Sequence, residues 1–278
     1  MLQSIKHRLR RYIGHAQPFL VAQPEFGSRR AGESVLEPLS QEQVRSFRTR
    51  GYVVFESGLS TAELDAVGAE MRRIFADPTV TVSHRDEVRL QDAWQVSDPI
   101  RSVATSPLVR AILQQLYGRR PMPFQTLNFR VGTQQKAHSD TIHFNSTPQS
   151  FMCGAWLALE DVDKENGPLV YYPGSHLLPE FDLGDIRLPA KSEYYGEYEN
   201  LVESVVKQNG LQPEYGILKR GQILVWSSNL LHGGSPITDS TRTRFSQVTH
   251  YFFEDCRYYT PMHSTIDNIE WRNPVPIV

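Results

Sequence analysis

After Gly118 the sequence stops reading as helix and becomes a succession of short β-type runs. The candidates are 122–131, 137–144, 151–160, 168–172, 222–227 and 243–253. Each is in part β-branched or aromatic. Turn signals bound them, among them Asn166-Gly167-Pro168, Pro173-Gly174 and Gly233-Gly234. The half before Gly118 reads mostly as helix. Ser40, followed by Glu42 and Gln43, predicts a capped helix that ends near Gly51. Tyr52–Phe55 is a short strand, and Ser60 with Glu63 has capping-box spacing for a helix reaching about Phe75. A helix pair is expected over 98–105 and 107–117. Helices first, then many strands without strand–helix alternation, predict a mainly β fold. An antiparallel barrel or sandwich with helices packed on one side fits this order.

The composition agrees with that class and excludes others. With 278 residues, 40% apolar and 22% charged, the chain is neither collagen-like, coiled-coil nor wholly disordered. Lys plus Arg is 29 and Asp plus Glu is 31, so the net charge of −2 gives no global pull towards nucleic acid. Cys153 and Cys256 make no disulfide framework and no zinc spacing, and a reducing cytoplasm is the simplest compartment. No apolar run is long enough for a transmembrane helix. The start, MLQSIKHRLRRYIG, is basic but lacks the apolar stretch of a secretory signal.

Leu2, Ile5, Leu9 and Ile13 recur at helical spacing in that start, among Lys6, Arg8, Arg10 and Arg11. A solvated helix packing on its own domain or on a partner chain is favoured over one lying on anionic lipid. Residues 15–37, with Pro18, Pro24, Gly27 and Gly32, read as an extended connector. The expected organisation is a basic N-terminal helix and connector over 1–37, then one domain over 38–278. No repeat and no signature of an oligomeric state is evident.

The densest polar cluster is Ala137–Phe144. On a strand, residues i and i+2 share a face, so His138 and Asp140 would present an imidazole and a carboxylate together. A third donor is available in His232, past the apolar strand Ile223–Trp226 and before Gly233-Gly234. Two histidines and one carboxylate on one side of an ion leave positions open, which suits non-haem Fe(II), although Mn, Co and Zn accept the same donors. An isolated His-x-Asp pair is more often an imidazole bonded to a surface carboxylate. The features that follow it in order change the odds.

These features resemble the phytanoyl-CoA dioxygenase family of Fe(II)- and 2-oxoglutarate-dependent oxygenases. The likeness runs from about Leu39 to Phe253. It rests on Gly51-Tyr52-Val53-Val54, His138-Ser139-Asp140, Gly167-Pro168-Leu169, Pro173-Gly174-Ser175-His176, Lys219-Arg220-Gly221, Leu231-His232-Gly233 and Arg244-Phe245-Ser246. The resemblance implies a double-stranded β-helix (a jelly-roll, cupin-like core) with flanking helices. It also implies a dioxygenase that uses Fe(II), 2-oxoglutarate and O2 to oxidise a C–H bond of a small molecule, releasing succinate and CO2. His138, Asp140 and His232 match the iron ligands. Arg244 matches the residue that grips the distal carboxylate of 2-oxoglutarate, a task suited to a planar guanidinium, and Ser246 shares its strand face. Arg242 has the same parity and competes for that role. Trp156 stands where the family often has an aromatic against the cosubstrate. Gln125 and Asn128 on the preceding strand are further candidates for holding it, but their opposite parity requires a bulge or the use of only one. Related halogenases lack the carboxylate, so Asp140 favours hydroxylation over halogenation.

The other polar residues have plainer readings. His143 faces away from the metal if its strand continues, His176 supports a turn, and His250 lies on the Arg244 face as a supporting residue. Leu177–Tyr215 is a long insertion with a helix expected at about 197–208, and 79–95 is a polar connector. Such segments over a β scaffold often form lids, and their Tyr and charge suit a polar substrate as readily as solvent. Two rivals remain at this level. A cupin-type isomerase or hydrolase using Zn or Mn would keep the three ligands but not need Arg244 and Ser246. A non-catalytic barrel would not need the set intact.

Overall fold

The computed structural model describes residues 38–278. The basic helix and connector expected over 1–37 lie outside the described residues.

Local sequence signals set the helices. Helix α1 (Gln41–Arg50) opens at a capping box, where Ser40 Oγ accepts the Gln43 N–H and the Gln43 side chain accepts the Ser40 N–H. It closes at Gly51, and β1 (Tyr52–Glu56) follows. Ser60 and Glu63 form a second capping box for α2 (Thr61–Ala76). Each such cap stabilises its helix by about 1 kcal/mol. The segment expected as a connector contains a small hairpin, β2 (His84–Arg85) and β3 (Arg89–Gln91). Helices α3 (Asp98–Ala104) and α4 (Pro107–Tyr117) each carry proline in the first turn, where its missing N–H costs nothing.

The β half begins with β4 (Pro121–Phe129), β5 (Asn145–Thr147), β6 (Met152–Ala158) and β7 (Leu169–Tyr171). A 3-10 turn at Ser175–Leu177 leads into the insertion, which folds as two further 3-10 turns and α5 (Tyr195–Gln208). Then come β8 (Glu214–Tyr215), β9 (Gln222–Ser227), β10 (His232–Gly234), β11 (Ser246–Phe253), β12 (Arg257–Tyr259) and β13 (Trp271–Arg272). The main sheet has seven strands in the order β1-β9-β6-β11-β4-β3-β2, with antiparallel neighbours throughout. A three-stranded sheet, β10-β7-β8, and another, β13-β12-β5, complete the β structure. This is the jelly-roll core with flanking helices that the sequence predicts.

Packing follows the strand period. Cys153, Ala155 and Leu157 of β6 turn to one face and pack with α1–α4, while Trp156 and Ala158 turn to the other and pack with Tyr171, Leu224 and Val248. Covered on both faces, β6 is buried at every residue. Among the described residues no helix is long and apolar enough to cross a membrane.

One expected strand is not there. Over 137–144 only His138 makes a β-bridge, and a 3-10 turn takes Asp140–Ile142. The cause is Ser139, whose Oγ accepts the Thr141 N–H at 3.2 Å and draws the backbone into a turn.

Candidate metal centre

The backbone itself pairs two of the three expected ligands. His138 and His232 face each other in a bridge, the His138 N–H donating to the His232 carbonyl at 2.8 Å and the His232 N–H to the His138 carbonyl at 2.9 Å. Their ring centroids are 4.6 Å apart. This close approach needs glycine after His232, because a Cβ on Gly233 would lie 2.6 Å from the Gln135 carbonyl oxygen. The Ser139 turn then swings Asp140 back towards both rings. Asp140 Oδ1 lies 3.9 Å from His138 Nε2 and 3.7 Å from His232 Nε2, and one donor atom from each residue falls within 4.8 Å of the others. The strand parity argued from the sequence is therefore not what unites His138 with Asp140; the turn is.

The hydrogen bonds behind these atoms fix their chemistry. His138 Nδ1 meets the Lys136 carbonyl at 3.0 Å, and His232 Nδ1 meets the Leu230 carbonyl at 2.9 Å. A carbonyl only accepts, so each Nδ1 carries the proton and each Nε2 lone pair points at the shared centre. Trp226 Nε1 donates to Asp140 Oδ2 at 2.7 Å and leaves Oδ1 free to face the imidazoles. All three side chains are buried. Burial, with the neighbouring His232, pushes His138 down to about 3. Burial disfavours a charged Asp140, but His232, His250, His138 and the Trp226 bond outweigh it and hold the carboxyl below its ordinary range. A neutral His138 imidazole beside a carboxylate anion is the protonation state a divalent ion requires.

A cavity of about 90 Å³ opens on this centre, with Trp156, Val248 and His250 in its wall. Arg244 reaches it from just before β11. It is buried, its Nη1 donates to the Gly167 carbonyl at 2.9 Å, and its guanidinium lies 5.1 Å above the Trp156 ring. Burial pushes it down to about 10. Arg244 Nε and Ser246 Oγ are both buried and have no hydrogen-bond partner among the described residues. Arg242, the competitor, ion-pairs with Asp163 and Glu165 at the surface instead.

Gln125 and Asn128 separate. β4 pairs with β11 so that Gln125 stands opposite His250 and Asn128 opposite Gln247. Gln125 bonds His250 Nδ1 at 2.9 Å, behind the cavity wall. Asn128 bonds Gln247, whose amide donates to the Ile100 carbonyl in α3, so Asn128 turns to the helical layer and away from the cavity. A bulge exists, but it lies between His250 and Tyr251 and does not bring Asn128 round.

The turn at Asp140 also redirects His143, which is half-buried with its ring 5.2 Å from that of Tyr195. His176 Nε2 bonds the Arg48 carbonyl and ties its turn to α1. The sequence reading missed Trp226 as a partner of Asp140. Alternation along β9 puts Leu224 and Trp226 on the inner face and carries that signal.

The family model for phytanoyl-CoA dioxygenase matches residues 47–244. The peroxisomal phytanoyl-CoA dioxygenase of Rattus norvegicus is 24% identical over 263 residues, covering 83% of this chain and 73% of the relative. The ectoine dioxygenase of Halomonas elongata is 26% identical over 225 residues, covering 73% and 67%. Two solved structures share the fold. One is the non-heme α-ketoglutarate-dependent carbocyclase SnoK, with 22% identity, a TM-score of 0.66, and 82% of this chain and 89% of that one covered. The other is EctD from S. alaskensis with 2-oxoglutarate and 5-hydroxyectoine, with 19% identity, a TM-score of 0.62, and 85% and 83% covered. Because the family model spans most of the chain, from α1 to the arginine that reaches the cavity, this protein belongs to the phytanoyl-CoA dioxygenase family.

Proposed function

We propose that the protein is an Fe(II)- and 2-oxoglutarate-dependent dioxygenase in which His138, Asp140 and His232 hold the iron. One observation carries the reading. The three-donor centre shares a single small cavity with the buried Arg244 guanidinium, whose Nε lacks a partner, and the buried Ser246 hydroxyl two residues on lacks one too. An isolated buried cation is costly, and an incoming carboxylate relieves it. A Zn or Mn enzyme without 2-oxoglutarate has no use for that second half.

Fe(II) held by His138, Asp140 and His232 would supply, with O2, the oxidising chemistry that converts 2-oxoglutarate to succinate and CO2. The chain does the rest. Nδ1–H bonds to the Lys136 and Leu230 carbonyls keep both imidazoles aimed at the metal. Trp226 pins one oxygen of Asp140. Arg244 and Ser246 receive the far carboxylate of 2-oxoglutarate, with Trp156 beneath the guanidinium. Leu127, Phe129 and Val248 in the cavity wall exclude water.

A polar small molecule is the substrate class we infer. Gln135 lines the cavity, its amide donates to the Tyr195 hydroxyl at 3.2 Å, and the His143 ring lies tilted beside that of Tyr195. The relative named ectoine dioxygenase points the same way. A reducing, cytoplasmic setting suits two free cysteines, one of them buried.

Anaerobic titration with Fe(II) and 2-oxoglutarate tests the reading. A visible metal-to-ligand charge-transfer band, lost in His138→Ala and Asp140→Ala, followed by succinate release in air, is the expected result. Tight Zn or Mn binding with no 2-oxoglutarate binding would overturn it.

A further inference from the structure

The insertion after Leu177 lies where a lid is expected, yet its helix grips the segment that carries the metal ligands. Tyr198, on α5, is fully buried, and its hydroxyl accepts the Ser139 N–H at 3.1 Å. Ser139 is the residue between His138 and Asp140. Its carbonyl accepts the Ile142 N–H at 3.4 Å and the Tyr198 hydroxyl at 3.5 Å, and its Oγ bonds Thr141, the Ser228 carbonyl and Asn229. The phenol is the acceptor for the amide that joins His138 to Ser139, the residue before Asp140. One turn away, the Tyr195 hydroxyl accepts from Gln135, on the other flank of His138.

The packing repeats this relation. Beneath α5, Tyr198, Leu201, Val202 and Val205 form an apolar cluster with Ile142 and Leu231. Ile142 follows Asp140 by two residues and Leu231 precedes His232, so the same cluster backs onto the ligand-bearing segments.

We propose that Tyr198 is a positioning residue for the metal centre, and that α5 is a fixed support of the site rather than a cover that opens. The inference rests on the metal reading above. Without the phenol, the Ser139 N–H is buried and unpaired, and the peptide between His138 and Ser139 keeps only the bond from the His232 N–H to the His138 carbonyl, which loosens the direction of Asp140 relative to His138.

The test uses the full chain stripped of metal, with Tyr198→Phe compared with wild type and with Leu116→Ala. Leu116 is fully buried in α4, in the helical layer, and controls for lost stability alone. Co(II) is titrated anaerobically, and the visible d–d spectrum and the thermal midpoint of the metal-free protein are recorded. Tyr198→Phe should bind Co(II) about tenfold more weakly with an altered spectrum. Leu116→Ala should keep wild-type affinity and spectrum despite its lower midpoint. Hydrogen exchange of the Ser139 amide, read without metal, should be slow in wild type and faster in Tyr198→Phe.

If wild type binds Co(II) and Tyr198→Phe matches it, or if affinity tracks the midpoint equally in both variants, Tyr198 does not position the centre. A rapidly exchanging Ser139 amide in wild type would overturn the proposal independently of metal. Wild type that binds no Co(II) would instead overturn the metal reading, and this inference with it.

Discussion

Gly154 and Trp226 stand opposite each other across β6 and β9, and a Cβ on Gly154 would lie 2.2 Å from Trp226 Cζ2. The indole lies across the bare backbone of β6, and from there its Nε1 reaches Asp140. The hydrogen at position 154 is a condition of the metal centre's geometry, although Gly154 touches no ligand.

Gly154→Ala should therefore act at a distance. Inserting a methyl group into a packed core costs about 1–3 kcal/mol, so the thermal midpoint should fall. The displaced indole should also weaken Fe(II) binding. Calorimetric titration of the variant with Fe(II) under anaerobic conditions checks this. A lower midpoint with unchanged affinity would show that the indole is not needed to aim the carboxylate.

Trp226→Phe removes the donor while keeping an aromatic ring in the inner core. A hydrogen bond to a charged group contributes about 1.5–3 kcal/mol. Freed from it, Asp140 can rotate, and Fe(II) affinity should drop by about tenfold, within the range seen when groups behind metal ligands are removed. The retained ring should keep the far-UV dichroism of wild type. Equal Fe(II) dissociation constants for the variant and wild type would refute the role.

The sequence showed these elements unequally, for physical reasons. The two capping boxes and the turn-bounded strands are local signals, and they appear where expected as α1, α2, β4, β6, β9 and β11. The convergence of His138, Asp140, His232 and Arg244 on one cavity was legible, because few residue types suit the chemistry proposed for them. The turn at Asp140 was not, since a single serine side chain outcompetes a β ladder there. Arg242 and Arg244 have equal parity, so alternation could not rank them. Surface carboxylates at Asp163 and Glu165 claim the first and leave the second to the cavity. The role of Tyr198 depends on how an insertion packs, which no local period encodes.

That division between the arginines can be measured. Arg244→Lys keeps the charge but loses the planar fork, and with about 1.5–3 kcal/mol at stake the KM for 2-oxoglutarate should rise by about 10–150-fold. Ser246→Ala should raise it by a smaller factor. Arg242→Ala should leave it unchanged, because its side chain pairs with Asp163 and Glu165 at the surface, away from the cavity. Succinate release across a 2-oxoglutarate series separates the three, and a raised KM in Arg242→Ala alone would reverse the assignment.

Acid should destabilise the metal-free protein well before its carboxylates titrate. Burial pushes His250 down to about 4 and, with the neighbouring His232, pushes His138 down to about 3. Burial also lowers His143 and His176. These rings stay neutral in the folded chain, while in the unfolded chain they take up protons near their ordinary value of about 6.5. Falling pH therefore feeds protons to the unfolded state first, and stability is lost from about 6.5 down towards the folded values. The lowered carboxyl of Asp140 acts in the same direction, but only below its ordinary range. Between pH 7.5 and 5.5 His138 and His250 each contribute about 1.4 kcal/mol of destabilisation, about 3 kcal/mol together. The thermal midpoint of metal-free protein should fall by several degrees over that interval, and His250→Gln should fall less steeply. A midpoint that does not change between pH 7.5 and 5.5 would mean that these imidazoles are not held neutral by the fold.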